Sequence, residues 1–151
     1  MRYLTTEPIE RNALLEHGGP SHGARVTFSG IVRPDRHEHR TVTALFYDAH
    51  VAMAERQIER LIRVAQATWR VDSLIVRHRL GLVPVGQIGL FVTVAACHRR
   101  EAFMASQGLI DGIKTDVPIW KCVHYDDGTR SWNDGIQTLD APHQESVLLA
   151  C

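Results

Sequence analysis

Apolar and polar positions change rhythm several times along this chain. From Val51 to Trp69, the residues Val51, Ala54, Ile58, Leu61, Ile62, Ala65 and Trp69 recur at three and four, the period of one helix face. Glu55, Arg56, Glu59, Arg60 and Arg63 fill much of the other side, and Glu59 can reach Arg63 one turn on. Before it, Ala24, Val26 and Phe28 alternate with Arg25, Thr27 and Ser29, which predicts a strand over 24–32. Gly30 breaks the alternation and marks a bulge or a close backbone approach. The β-branched and aromatic run Thr41 to Tyr47 predicts a second strand, paired antiparallel with the first across the polar loop Arg33 to Arg40. Further strands are expected over Val71 to Leu80, over the nearly continuous apolar run Ile88 to Ala96, and over Ile119 to Tyr125. A second long helix is expected over His98 to Ile113, with Phe103, Gln107, Ile110 and Ile113 on one face and Ala102 and Ala105 beside it; Pro118 ends it.

A first helix is expected over Glu7 to Glu16, capped by Thr5 or Thr6, followed by a turn cluster at His17 to Gly23. Gly81 to Gly86 reads as a turn-rich connection, Asp126 to Gly128 as a turn, and Trp132 as the residue that closes the packed region. Strand pairs alternating with helices predict an α+β fold with a largely antiparallel sheet and helices packed on one face. Residues 1–133 read as one domain, and 134–151, which lack periodicity, as a partly ordered C-terminal tail.

Composition narrows the chemistry. The chain has 151 residues, 44% hydrophobic and 23% charged, with 17 basic and 17 acidic side chains. These values fit one globular domain and argue against disorder, a coiled coil or a broad nucleic-acid-binding field. No apolar run approaches a membrane span and the N-terminus lacks a signal-peptide core, so a cytoplasmic location is expected. Three cysteines without a CxxC make a disulfide framework or an all-cysteine zinc site improbable. Of the 17 basic residues only Lys114 and Lys121 are lysines. Arginine stays protonated at any working pH, whereas lysine can be tuned to exchange a proton or attack a carbonyl, so this pair points to a task that needs an amine.

Cationic residues collect at Arg33, His98-Arg99-Arg100, Lys114 and Lys121. Pro118 puts Lys114 on a helix end and Lys121 on the extended segment that leaves it, so two elements can bring both amines to one cleft. Arg33, His98 and Arg99 with the two lysines would make a phosphate or carboxylate pocket, and His98-Arg99 opens a helix whose backbone N–H groups favour anions. The blander readings are solvated faces for the arginines and a backbone-bonded helix start for His98. His37-Glu38-His39 could chelate a metal, but no further ligand set completes it, and a solvated loop is the better reading. Cys97 and Cys122 read as buried bystanders. No Walker loop, GxGxxG or GxSxG is present.

The ordered pieces Gly23 to Arg33, Val42 to Tyr47, Met53-Ala54-Glu55, Val76 to Gly81, Val85-Gly86, Ala96 to Arg99 with Ala102-Phe103, Ile113-Lys114, Val117 to Lys121, Gly128 and Trp132 resemble the catalytic, large-subunit family of molybdopterin synthase over roughly residues 5–133. The resemblance implies an α/β hammerhead with an added antiparallel sheet. It implies sulfur transfer from the thiocarboxylated Gly-Gly C-terminus of a small ubiquitin-like subunit to cyclic pyranopterin monophosphate, forming the dithiolene of molybdopterin. It implies a homodimer of large subunits within a heterotetramer, with no metal or nucleotide cofactor. By resemblance, Ile31, Val32, Arg33, His98, Arg99, Lys114, Lys121, Cys122 and Val123 border the substrate. Arg33, His98 and Arg99 bind its phosphate and pterin, Lys114 serves as acid–base catalyst or transient nucleophile, and Lys121 orients substrate and stabilises negative charge. Family members often carry a basic and then an acidic residue after the second lysine; here the run is Lys121-Cys122-Val123. That departure keeps open a noncatalytic paralogue that binds a ubiquitin-like partner or a pterin. An RNA-binding domain is a weaker alternative, because the few aromatic residues mostly stand at core positions.

Overall fold

The computed structural model describes residues 1–10, 19–71 and 73–133. The elements are β1 (Leu4–Thr5), β2 (Ala24–Ile31), β3 (Arg36–His37), β4 (Arg40–Ala49), α1 (Val51–Trp69), β5 (Ser73–Arg79), β6 (Gly81–Pro84), β7 (Ile88–Ala96), α2 (Arg99–Asp116), β8 (Ile119–Tyr125) and β9 (Arg130–Asn133). They form an α+β fold with two sheets. The first has the order β1-β5-β7-β2, with β1 parallel to β5 and the other neighbours antiparallel. The second has the order β3-β4-β8-β9, with β6 also on β4, and is antiparallel throughout.

β7 organises the first sheet. Every residue from Gly89 to Ala96 is buried, which requires a ladder on both edges and cover on both faces. β2 and β5 supply the ladders, with Ala24 opposite Ala96 and Leu74 opposite Val94. The register slips between Gly30 and Ile31, at the bulge expected there. α1 and α2 pack on this sheet, so that Ala54, Ile58, Leu109 and Ile113 share one core with Val76, Val92 and Val94. The helices approach each other closely at two glycines of α2. A Cβ on Gly108 would stand 2.3 Å from the Trp69 ring, and one on Gly112 would stand 2.7 Å from a Leu61 methyl.

The expected pairing of the 24–32 and 41–47 strands does not form: β2 lies on β7, and β4 lies between β6 and β8. The all-buried β7 demands β2 as its edge partner. At the other end, the His50 N–H donates to the Pro118 carbonyl at 3.3 Å, bringing Ile119 opposite Ala49 and starting the β4–β8 ladder. Gly81 to Pro84 is a strand as well as a connection. Gly81 and Gly86, at φ of 78° and 85°, make the corners by which the chain leaves the first sheet for β6 and returns at β7. Phe103 is 63% exposed, because the buried stripe of α2 runs through Ala102, Ala105, Ser106, Leu109 and Ile113.

Residues 7–10 of the first expected helix are not helical, and its remainder, 11–16, lies outside the described residues, as does the tail 134–151. Trp132 sits in β9 opposite Cys122 and is half-exposed rather than a plug.

Candidate active site

Lys114 stands in the last turn of α2, exposed, where the negative end of the helix dipole favours an ammonium. Val117 is extended and Pro118 forbids further helix, so the chain turns directly into β8. Three residues into that strand, Lys121 points to the same face as Val123, which packs in the second core with Val32, Val42, Val83 and Tyr125. The Lys121 amine is half-buried. Burial first, and the nearby Lys114 ammonium second, hold its pKa below the ordinary lysine value, while Asp35 pulls it upward. The two lysines therefore meet in one electrostatic neighbourhood.

The 31–33 segment reaches this neighbourhood from the end of β2. Ile31 is half-exposed after the bulge. Val32 is buried and pinned on both sides, its N–H donating to the Gln87 carbonyl at 3.0 Å and its carbonyl accepting from the Gly86 N–H at 2.9 Å. Arg33 is exposed and donates from Nη2 to Asp35 Oδ2 at 2.9 Å. Asp35 was not among the residues expected from sequence; a carboxylate two residues from Arg33 in a polar loop gives only a local signal. Val123 is half-buried, and Cys122 is buried on the opposite face of β8 from Lys121, so only its backbone is directed to the amine side.

His98 and Arg99 stand apart from this group. His98 is the exposed N-cap of α2, with Nε2 at 3.6 Å from Cys97 Sγ, and Arg99 is the first helical residue. Fifteen residues of helix separate Arg99 from Lys114, about 22 Å at about 1.5 Å per residue. The single pocket expected from all five cations is thus divided within one chain. Arg33, Lys114 and Lys121 lie at one end of α2, and His98-Arg99 at the other.

The His37-Glu38-His39 segment forms a tight β3–β4 hairpin with Glu38 at φ 57°, and the His37 ring meets Tyr125 edge-on at 6.0 Å. Among the described residues, no group of three or more His, Cys, Asp or Glu side chains is placed to hold a metal ion, and no helix is long and apolar enough to cross a membrane.

Comparison with known proteins bears on this geometry. The MoaE protein family model matches residues 4–116. The chain is 43% identical over 118 residues to the molybdopterin synthase catalytic subunit of Oryza sativa subsp. indica, covering 78% of this chain and 60% of that protein. It is 43% identical over 114 residues to the protein of the same name from Thermoplasma volcanium, covering 76% of this chain and 82% of that one. The chain thus spans about three-fifths of the plant relative's length. The crystal structure of molybdopterin synthase from Staphylococcus aureus superposes with a TM-score of 0.80 at 28% identity, covering 87% of this chain and 95% of that one. On these matches the chain belongs to the MoaE protein family, the family of the molybdopterin synthase catalytic subunits.

Proposed function

We propose that this chain is the catalytic subunit of a molybdopterin synthase, a sulfurtransferase acting on cyclic pyranopterin monophosphate. The sulfur donor is the thiocarboxylated Gly-Gly terminus of a small ubiquitin-like subunit. One observation carries the reading: the only two lysines of the sequence, far outnumbered by arginine, come together at the α2–β8 junction with one amine half-buried. A thiocarboxylate and a phosphate are both anionic, and a cluster of Arg33, Lys114 and Lys121 suits both. In each transfer a carbon–sulfur bond forms on the pterin side chain while a carbon–oxygen bond at the same carbon breaks, its oxygen leaving with the phosphate or as water, and the acyl carbon–sulfur bond of the tail is hydrolysed. The oxygen of water replaces the sulfur, and the tail is left as a carboxylate. Lys114, exposed at the helix end, acts as acid–base catalyst or transient nucleophile. Lys121, held by the sheet, orients substrate and stabilises the developing charge. The reaction so written uses no metal or nucleotide.

Residues 1–133 form the synthase domain, with 134–151 as its tail. Relatives named as catalytic subunits support a companion subunit. The length of α2 supports a homodimer of this chain within the heterotetramer, because one small substrate cannot touch both ends of the helix. In a dimer, His98-Arg99 of one copy can complete the lysine end of the other. The reading belongs to a cytoplasmic biosynthetic enzyme. Its test is the purified chain with thiocarboxylated small subunit and cyclic pyranopterin monophosphate. Dithiolene product supports catalysis, while binding of both without product gives the noncatalytic paralogue instead.

A further inference from the structure

Tyr47 lies directly opposite Lys121 in the β4–β8 ladder, so the two side chains rise from the same face of the second sheet with Cβ atoms about 5 Å apart. On its other flank Tyr47 is paired with Gly81 of β6, which has no side chain. The ring itself is firmly held. His78 meets it edge-on at 5.0 Å, and it packs against both hydrophobic cores. Gly89, at the start of β7, makes room for the hydroxyl edge: a Cβ there would stand 3.1 Å from Cε2 and 3.3 Å from the hydroxyl oxygen of Tyr47. This is the end of β7 where Ile88 pairs with Ile31. The phenol therefore stands at the strand end from which the 31–33 segment departs, as well as beside Lys121.

The hydroxyl has no use inside the chain. Among the described residues it makes no hydrogen bond. Nor is it one of the fully enclosed polar atoms left without a partner, which are Arg79 Nε and Glu101 Oε2, so it opens to solvent. A phenylalanine would pack as well against His78 and the two cores, and would spare the cost of desolvating a phenol. That desolvation raises the Tyr47 pKa and keeps the group a neutral O–H donor. We propose that the Tyr47 hydroxyl is a substrate-contacting donor of this centre, hydrogen-bonding the anionic oxygen that Lys121 receives. The identity of the substrate rests on the sulfur-transfer reading. Two oxygens of that reaction qualify. One is a phosphate oxygen of the pterin. The other is the acyl oxygen of the tail: water adds to the acyl carbon and loses a proton to the base, and the oxyanion so formed collapses as the sulfur leaves as a thiolate on the pterin. A neutral donor beside an ammonium suits either oxygen, and it adds no further charge to a place already crowded with cations.

Tyr47→Phe removes only the hydroxyl. Because that group bonds nothing within the described chain, the variant should melt with the wild type or slightly above it. In the sulfur-transfer assay its kcat/KM should fall by about 100-fold. The split between the two constants names the oxygen. A lower kcat with KM held, and the tail caught joined to the pterin as a thioester by mass spectrometry, places the donor on the acyl oxygen. A higher KM for the pterin with kcat held places it on the phosphate. The contact can also be watched without turnover. Protein labelled at the tyrosine rings gives three Cζ signals, from Tyr3, Tyr47 and Tyr125, and Tyr47→Phe assigns the middle one. Cyclic pyranopterin monophosphate or the thiocarboxylated small subunit should move the Tyr47 signal and leave Tyr3 in place. Unchanged kcat and KM in Tyr47→Phe, or a Tyr47 signal that neither molecule moves, overturns the donor role. So does a loss of activity that follows a drop in melting temperature, since the hydroxyl would then serve the fold. Failure of the wild-type chain to make dithiolene overturns the functional reading instead, and leaves the tyrosine signals to decide whether Tyr47 meets a ligand.

Discussion

Tyr47 of β4 meets His78 of β5 edge-on, with ring centroids 5.0 Å apart and planes at 82°. The two residues belong to different sheets, and Tyr47 packs against both hydrophobic cores, so this contact joins the two halves of the fold. His78 is buried, and its Nδ1 bonds the Arg79 carbonyl at 2.9 Å. Burial lowers its pKa to about 4, against the weaker opposing effect of that bond. Unfolded, the imidazole takes a proton near 6.5, so between that pH and about 4 the unfolded chain binds more protons than the folded one. Stability from a neutral His78 is complete above pH 6.5 and falls as the pH drops to about 4, by about 3 kcal/mol in all. Urea titrations across this range should show a steeper loss in the wild type than in His78→Gln. Parallel curves would mean that other groups carry the acid sensitivity.

Gly108 faces Trp69 where α2 crosses α1. Alanine in a helix normally gains about 1 kcal/mol over glycine. Here its methyl would stand 2.3 Å from a stiff indole, and overpacking of this kind costs about 1–3 kcal/mol, so the clash wins. Gly108→Ala should lower the melting temperature. At Gly112 the obstacle is a Leu61 methyl at 2.7 Å, the end of a flexible side chain, so Gly112→Ala should be close to neutral. Equal effects at the two sites would contradict the difference in stiffness on which this rests.

What the sequence made legible was local. The stripe from Ala54 to Trp69 and the apolar run of β7 specify their elements with little outside help, and Pro118 fixes where α2 stops. The rarity of lysine singled out the pair that the fold brings together. Partner choice between strands was not legible: β2 and β4 each carry a sound strand pattern, but their neighbours depend on how completely β7 must be covered. Phe103 shows the same limit on a helix. Its apolar side chain suggested the core, while small residues one position away let α2 approach α1 and the sheet. The separation of His98-Arg99 from Lys114 was readable in principle, because helix length alone sets it. The electrostatic pull of Asp35 on Lys121 was not, because it depends on where a loop tied to β4 by a backbone bond places the carboxylate.

Glu55 ties the start of the chain to α1. Its Oε1 accepts from the backbone N–H groups of Arg2, Tyr3 and Leu4 at 2.9, 3.0 and 3.0 Å. β1 is two residues long and has a single parallel neighbour, so this carboxylate is a main anchor for it. Hydrogen bonds to a charged acceptor contribute about 1.5–3 kcal/mol, and leaving part-buried donors unpaired adds to the loss. Glu55→Ala should cost about 2 kcal/mol, roughly 6 °C in melting temperature, with faster amide exchange at Tyr3 and Leu4. Unchanged exchange at those two amides would show that the β1–β5 ladder holds without the carboxylate.

The two lysines should separate stability from activity. Lys114 is exposed at a helix end, so Lys114→Ala should fold and melt like the wild type while dithiolene formation drops by about 100-fold or more. A purified Lys114→Ala protein with near-normal turnover would remove Lys114 from the chemistry. Lys121 is different, because burial and the Lys114 charge both disfavour its ammonium. Wherever the amine is protonated in the folded and the unfolded chain alike, the folded state carries that penalty in full. The penalty is relieved only as the pH rises through the lowered folded-state pKa toward the ordinary lysine value. Lys121→Met keeps the apolar stem and removes the charge. At pH 7 it should therefore melt above the wild type while losing turnover, the exchange expected where a site is built at the expense of stability. Thermal melts of the two proteins at pH 7 decide the matter. A lower melting temperature for Lys121→Met would mean that the attraction of Asp35 outweighs burial and Lys114 together, and that the amine holds the sheet rather than straining it.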